Sequence, residues 1–165
     1  MLTSLLLAST LAHAGSDIGT DKKFGIGAEF GNGTYLNVSG KYWLSEKNGI
    51  SFHAGTSFAY HEVGGRFEST IIKGEWFDWA DLPIFWWAGV DVGVYSYLGY
   101  TSPQAGVAGG AGAALQFSGF PGEAFVTAGL GVYPLNWATG YGGYGGFYAP
   151  GWFQGRGTAG FRYYF

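Results

Sequence analysis

From residue 23 to the last residue, apolar side chains alternate with small or polar ones, and the period-two pattern recurs about eight times. The first stretch, about 23–31, sets Phe24, Ile26, Ala28 and Phe30 against Gly25, Gly27 and Glu29. The second, about 35–45, sets Leu36, Val38, Gly40, Tyr42 and Leu44 against Asn37, Ser39, Lys41 and Trp43. Further strands are predicted over about 50–61, 70–78, 84–97, 106–117 and 124–133. The last runs to the C-terminus, with Phe153, Gly155, Gly157, Ala159, Phe161, Tyr163 and Phe165 on one face and Gln154, Arg156, Thr158, Arg162 and Tyr164 on the other. Glu62–Ser69, Asp78–Pro83, Leu98–Ala105, Ser118–Glu123 and Pro134–Gly151 read as the connections. At the first connection the dipeptide Asn32-Gly33 suggests a two-residue hairpin. The faces agree only if Ala28 pairs with Val38, which calls for a three-residue loop, because a one-residue slip moves every side chain to the wrong face.

Charge decides which face is which. The charged residues within these stretches are Glu29, Lys41, Lys73, Glu75, Asp91, Arg156 and Arg162, and all share the face opposite the large apolar residues. A soluble barrel has an apolar inside and a charged outside. This pattern is the reverse, and it predicts an apolar wall facing lipid around a polar lumen. A sheet in lipid must close on itself to satisfy its backbone. The expected fold is therefore all-β: one eight-stranded antiparallel transmembrane barrel over 15–165, following a cleaved signal peptide over 1–14. The apolar run Leu2–Ala12 and the small-x-small motif Ala12-His13-Ala14 carry that last expectation.

Composition fits this reading. The 165 residues include 32 glycines, 20% aromatics and only 12% charged residues, against about 25% charged in ordinary soluble domains. Cysteine is absent, and a closed barrel needs no disulfide. The net charge of −3 and the scattered basic residues give no support to nucleic-acid binding.

With its strand number, alternation and terminal Phe161-x-Tyr163-x-Phe165, the chain resembles the small eight-stranded outer-membrane proteins of the OmpA transmembrane-domain and OmpX type. The resemblance covers about 23–165. It implies an outer-membrane location in a Gram-negative bacterium and contact with outer-membrane lipid and lipopolysaccharide. It also implies that Phe161, Tyr163 and Phe165 are read by the barrel-assembly machinery. A monomer is expected.

An eight-stranded barrel is just wide enough for side chains to fill it. Lys41, Lys73, Arg156 and Arg162 nearly balance Glu29, Glu75 and Asp91, which predicts an ion-pair plug; a narrow, low-conductance pore is the alternative. Trp76, Trp79, Trp86 and Trp87, and Tyr95, Tyr97 and Tyr100, are expected in aromatic belts at the membrane interfaces. In the long last connection, Trp137, Tyr141, Tyr144, Phe147 and Tyr148 are separated by glycines. Rings supply contact area at low entropic cost, so this stretch is the candidate for surface recognition or adhesion.

One enzymatic alternative remains. Ser51 and His53 share an inward face two residues apart, continued by Ser57 and His61, and a nucleophile beside a base is what acyl chemistry on lipid A or phospholipid requires. Lipid A deacylases of the outer membrane use His-x-Ser with a Glu; this chain has the reverse order. No cofactor is expected. Nor is a metal site, since His53 and His61 would lie about 26 Å apart on one strand.

Overall fold

The computed structural model describes residues 17–32, 34–98, 100–136 and 153–165. They form eight strands: β1 (Phe24–Gly31), β2 (Thr34–Trp43), β3 (Asn48–Thr56), β4 (Tyr60–Phe77), β5 (Ala80–Tyr97), β6 (Tyr100–Phe117), β7 (Gly122–Asn136) and β8 (Phe153–Tyr164). Each pairs antiparallel with its neighbour, and β8 returns to β1, so the sheet is a closed barrel. The expected signal peptide, 1–14, lies outside the described residues. So do Trp137, Tyr141, Tyr144, Phe147 and Tyr148.

The register fixes the geometry. Following the pairs from Tyr164 through Gly25, Lys41, Ser51, Arg66, Gly89, Ala108 and Gly131 arrives at Gln154, ten residues up the starting strand. For eight strands at ordinary spacing, a stagger of ten tilts the strands by about 40°. The wall is uneven in height: β1 to β3 have 8, 10 and 9 residues, whereas β4, β5 and β6 have 18 each.

Several connections are shorter than their polar sequence suggests. Residues 62–69 are not a loop but the centre of β4, with Glu62, Arg66 and Glu68 buried and Val63 and Phe67 outside. Polarity there marks the lumen face rather than a turn. Ser102 and Pro103 likewise sit in β6, where Pro103 pairs with Val94 on an outward position and is exposed. Strand β3 ends at Thr56. The next turn reverses the remainder, so that Tyr60 is buried and His61 exposed.

The first hairpin reconciles its two competing signals. Ala28 pairs with Val38, as the faces require, and Gly31 pairs with Thr34, so only 32 and 33 remain in the turn. A bulge between Glu29 and Gly31 absorbs the odd residue. Asn32 takes φ 56°, while its N donates to the Gly157 carbonyl (3.1 Å) and its Oδ1 accepts from the Gly157 N (3.0 Å). Asn32→Ala combines left-handed strain with loss of the side-chain clamp. It is expected to lower the unfolding free energy by about 1–3 kcal/mol, read from the urea midpoint at unchanged slope.

Glycine and aromatic abundance have one explanation inside the barrel. A Cβ at Gly25 would lie 2.7 Å from the Tyr164 ring, one at Gly112 would lie 2.5 Å from Phe85, and one at Gly129 would lie 2.7 Å from Trp87. Large inward rings thus lie over bare backbone, on the adjacent strand for Tyr164 and Phe85 and two strands away for Trp87, and so fill the lumen. Trp87 belongs here, buried with Phe85, Ala108, Ala114 and Phe125, and not in an interface belt. The end of the barrel that carries the chain termini is closed by Ile18, which packs against Trp43 and Tyr164.

The outer surface is apolar. Ile26, Val38, Phe52, Val63, Val90, Val92, Val107, Val126 and Leu130 are each more than 40% exposed. Along the rim beside the termini, rings touch in series from Phe77 through Trp79, Phe117 and Phe120 to Phe161 and Tyr163, and Tyr163 meets Phe165 edge-on. The three C-terminal aromatics are thus part of a continuous exterior band.

Candidate functional site: a two-tier polar lumen

The inward charges of β1 to β8 form two connected clusters. In the tier nearer the termini, Lys41 Nζ lies 2.7 Å from Glu68 Oε2 and 3.8 Å from Glu123 Oε1. Arg162 ties β8 to its neighbours: Nη1 lies 3.3 Å from Glu123 Oε1 on β7, Nη2 lies 3.6 Å from Glu29 Oε2 on β1, and Nε donates to Ser39 Oγ on β2 at 2.9 Å. Ser39 donates in turn to Glu29 (3.1 Å), and Tyr164 and Gln116 donate to Glu123 (3.1 and 2.9 Å). Arg66 Nη2 reaches the other oxygen of Glu29 at 3.5 Å. Lys41 stands over the Trp43 ring at 3.8 Å and Arg162 over Phe125 at 3.9 Å, so the cations are held by ring faces as well as by carboxylates.

In the upper tier, Arg156 Nη2 bridges Glu62 Oε2 (2.7 Å) and Asp91 Oδ2 (2.9 Å). Tyr60 donates to Glu62 Oε2 (2.8 Å) and Tyr133 to Asp91 Oδ2 (3.0 Å). Gln104 donates to the Tyr60 hydroxyl, and Gln154 to Gln104 (3.3 Å). His53 Nε2 faces Glu62 Oε1 at 3.1 Å and Asp91 Oδ1 at 3.3 Å. His53, Glu62 and Asp91 therefore form a buried group whose ligand-capable atoms lie within 4.8 Å of one another. The spacing of His53 and His61 did not reveal it, because the partners of His53 are carboxylates on β4 and β5. His61 itself is exposed and bonds to Thr56.

Of the predicted lumen residues, Glu29, Lys41, Asp91, Arg156 and Arg162 sit in these clusters. Lys73 stands at the mouth, with its side chain 40% exposed, paired to Asp81 at 3.1 Å. Glu75 is not in the lumen. The β4–β5 hairpin runs past the rim there, and two register shifts, between Thr70 and Ile72 and between Gly74 and Phe77, leave Glu75 in the open. Glu62, Arg66, Glu68 and Glu123 were hidden from sequence reasoning by their apparent place in turns. Their signal was the alternation of Glu62, Arg66 and Glu68 with Val63 and Phe67.

Ser51 and His53 do share an inward face, but they serve different tiers. Ser51 Oγ donates to Glu68 (2.5 Å) in the tier near the termini, while His53 turns to Glu62 and Asp91 above. Both are about 97–98% buried. The Ser51 hydroxyl is thus engaged by Glu68 rather than by His53.

Comparison with known protein families, curated proteins and solved structures returns no match for this chain. Fold and lumen alone define the class: a closed eight-stranded antiparallel barrel with an apolar exterior and an ion-paired interior.

Proposed function

We propose that this chain is a non-enzymatic barrel of the Gram-negative outer membrane, a rigid plugged scaffold that presents its connecting segments for structural support or surface recognition. The single observation that carries this reading is the distribution of charge. Among the described strand residues, every Asp, Glu, Lys and Arg is buried on the inner face, apart from Lys73 at the mouth and Glu75 in the projecting hairpin, while the outward positions carry large exposed apolar side chains. In water such a surface is an aggregation liability; in lipid it is the required exterior. The exterior aromatic band beside the termini fits the headgroup zone.

On this reading the outer wall contacts outer-membrane lipid and lipopolysaccharide, Phe161, Tyr163 and Phe165 offer the assembly machinery its terminal signature, and the barrel works as a monomer. Recognition is assigned to the ring-rich stretch from Trp137 to Tyr148, because it has more aromatic side chains than any other connection. Two observations weigh against the other readings. Ser51 and His53 are buried in separate clusters, and salt bridges cross the lumen where a pore would need water.

The test is fractionation of cells making the protein, with unheated and boiled samples compared by electrophoresis, followed by mass spectrometry of lipid A and phospholipids. The reading expects a heat-modifiable band in the outer membrane and lipids indistinguishable from those of cells lacking the protein. Ser51→Ala and His53→Ala should leave the lipids equally unchanged. A soluble barrel would overturn the location, and an acyl chain lost or gained in a manner dependent on Ser51 would overturn the non-enzymatic assignment.

A further inference from the structure

In the upper tier, the donors and the free atoms are sorted onto opposite sides of two carboxylates. Arg156 donates to both Glu62 Oε2 and Asp91 Oδ2, Tyr60 donates to Glu62 Oε2, and Tyr133 donates to Asp91 Oδ2. The remaining oxygens, Glu62 Oε1 and Asp91 Oδ1, both face His53 Nε2. One imidazole nitrogen has one proton to give, so it cannot satisfy both. Asp91 Oδ1 has no hydrogen-bond partner although the residue is 97% buried. An unpaired carboxylate oxygen at that depth is costly.

The distances have a second reading. Metal–ligand bonds of about 2.0–2.1 Å to imidazole and carboxylate set ligand atoms about 3.3 Å apart at tetrahedral angles. Two of the three separations match this: Nε2 lies 3.1 Å from Oε1 and 3.3 Å from Oδ1, while the whole set lies within 4.8 Å. The outer donors match what metal-binding carboxylates have around them: hydrogen bonds to the non-ligating oxygen that fix its orientation. On the far side of the ring, the Glu29 carboxylate lies 4.0 Å from His53 Nδ1, too far for a hydrogen bond but close enough to add negative charge beside the imidazole. Backbone pairing makes room. His53 pairs with Gly64 and Gly64 with Asp91, so the two side chains meet over a residue with none. A Cβ on Gly64 would strike both Asp91 Oδ1 and the His53 ring. Charge favours a cation as well: in the two tiers, Glu29, Glu62, Glu68, Asp91 and Glu123 outnumber Lys41, Arg66, Arg156 and Arg162 by one.

We infer that His53, Glu62 and Asp91 form a buried site for a divalent transition-metal ion of the zinc type, bound through one imidazole and two carboxylate oxygens, with Arg156, Tyr60 and Tyr133 as its outer shell. The ligand set, one nitrogen and otherwise oxygen, suits zinc-like ions rather than softer ones. The inference rests on lumen geometry and holds whether or not the barrel lies in a membrane.

The test uses the folded full barrel in detergent micelles, stripped with a chelator, loaded with Zn²⁺, dialysed and assayed for retained metal. One Zn²⁺ per chain is expected, with an X-ray absorption spectrum showing only nitrogen and oxygen neighbours and a single imidazole. His53→Gln and Asp91→Asn, checked for folding by heat-modifiability, should retain none. Tyr133→Phe removes only an outer donor and should weaken binding by about tenfold. A folded wild-type barrel that retains no ion overturns the inference. So does retention undiminished in the folded variants, or a spectrum without imidazole. Should the ligand variants fail to fold, the wild-type spectrum and the Tyr133→Phe affinity decide the matter alone.

Discussion

Arg162→Met is expected to lower the unfolding free energy of the barrel by about 3–5 kcal/mol, the cost of removing one partner from a buried ion network. The size of the effect follows from what is left behind. Arg162 is 1% exposed and faces both Glu123 and Glu29, on the two strands that flank β8. Without it, Glu123 keeps the neutral donors Tyr164 and Gln116 but only one nearby cation, Lys41 at 3.8 Å, and Ser39 loses its donor. Methionine has similar length and keeps contact with Phe125, so the loss reports charge rather than a cavity. The check is urea unfolding of the folded barrel, with Arg162→Met combined with Glu123→Gln as the second half of a cycle. Neutralising Glu123 should recover a large part of the loss, because an uncompensated buried carboxylate is the main penalty. A single variant within about 0.5 kcal/mol of wild type would show that the lumen is hydrated and the network weak.

Val90→Arg should destabilise the barrel in phospholipid vesicles by about 2–4 kcal/mol, whereas Ile72→Arg, close to the rim, should cost about 0–1 kcal/mol. Both residues point outward and are more than half exposed, so the barrel itself makes no distinction between them. Val90 lies in the middle of β5, paired with Gly65 and Val107, while Ile72 follows the bulge near the end of β4. In a bilayer the first guanidinium must enter hydrocarbon and the second reaches headgroups. In water, each would be an ordinary surface substitution within about ±0.5 kcal/mol. Equal, small effects at the two sites would sink the membrane reading, and the graded pair supports it independently of cell fractionation.

The sequence by itself carried the strand number, the faces and the direction of the charge. Each follows from a local rule: alternation marks the face, and one face held the charge. The pairing of Ala28 with Val38 was legible for the same reason, since a one-residue slip mixes outward-facing and lumen-facing groups. Three matters were decided only by the closed barrel. Glu62, Arg66, Glu68 and Glu123 read as polar turns until the neighbouring strands gave them an interior to enter. Glu75 obeyed the alternation but stands outside, because inwardness needs an opposite wall and the β4–β5 hairpin has outrun it. The separation of Ser51 from His53, and the meeting of His53 with Glu62 and Asp91, depend on strand stagger. A stagger is a property of all eight pairings at once, so no single stretch of the chain contains it.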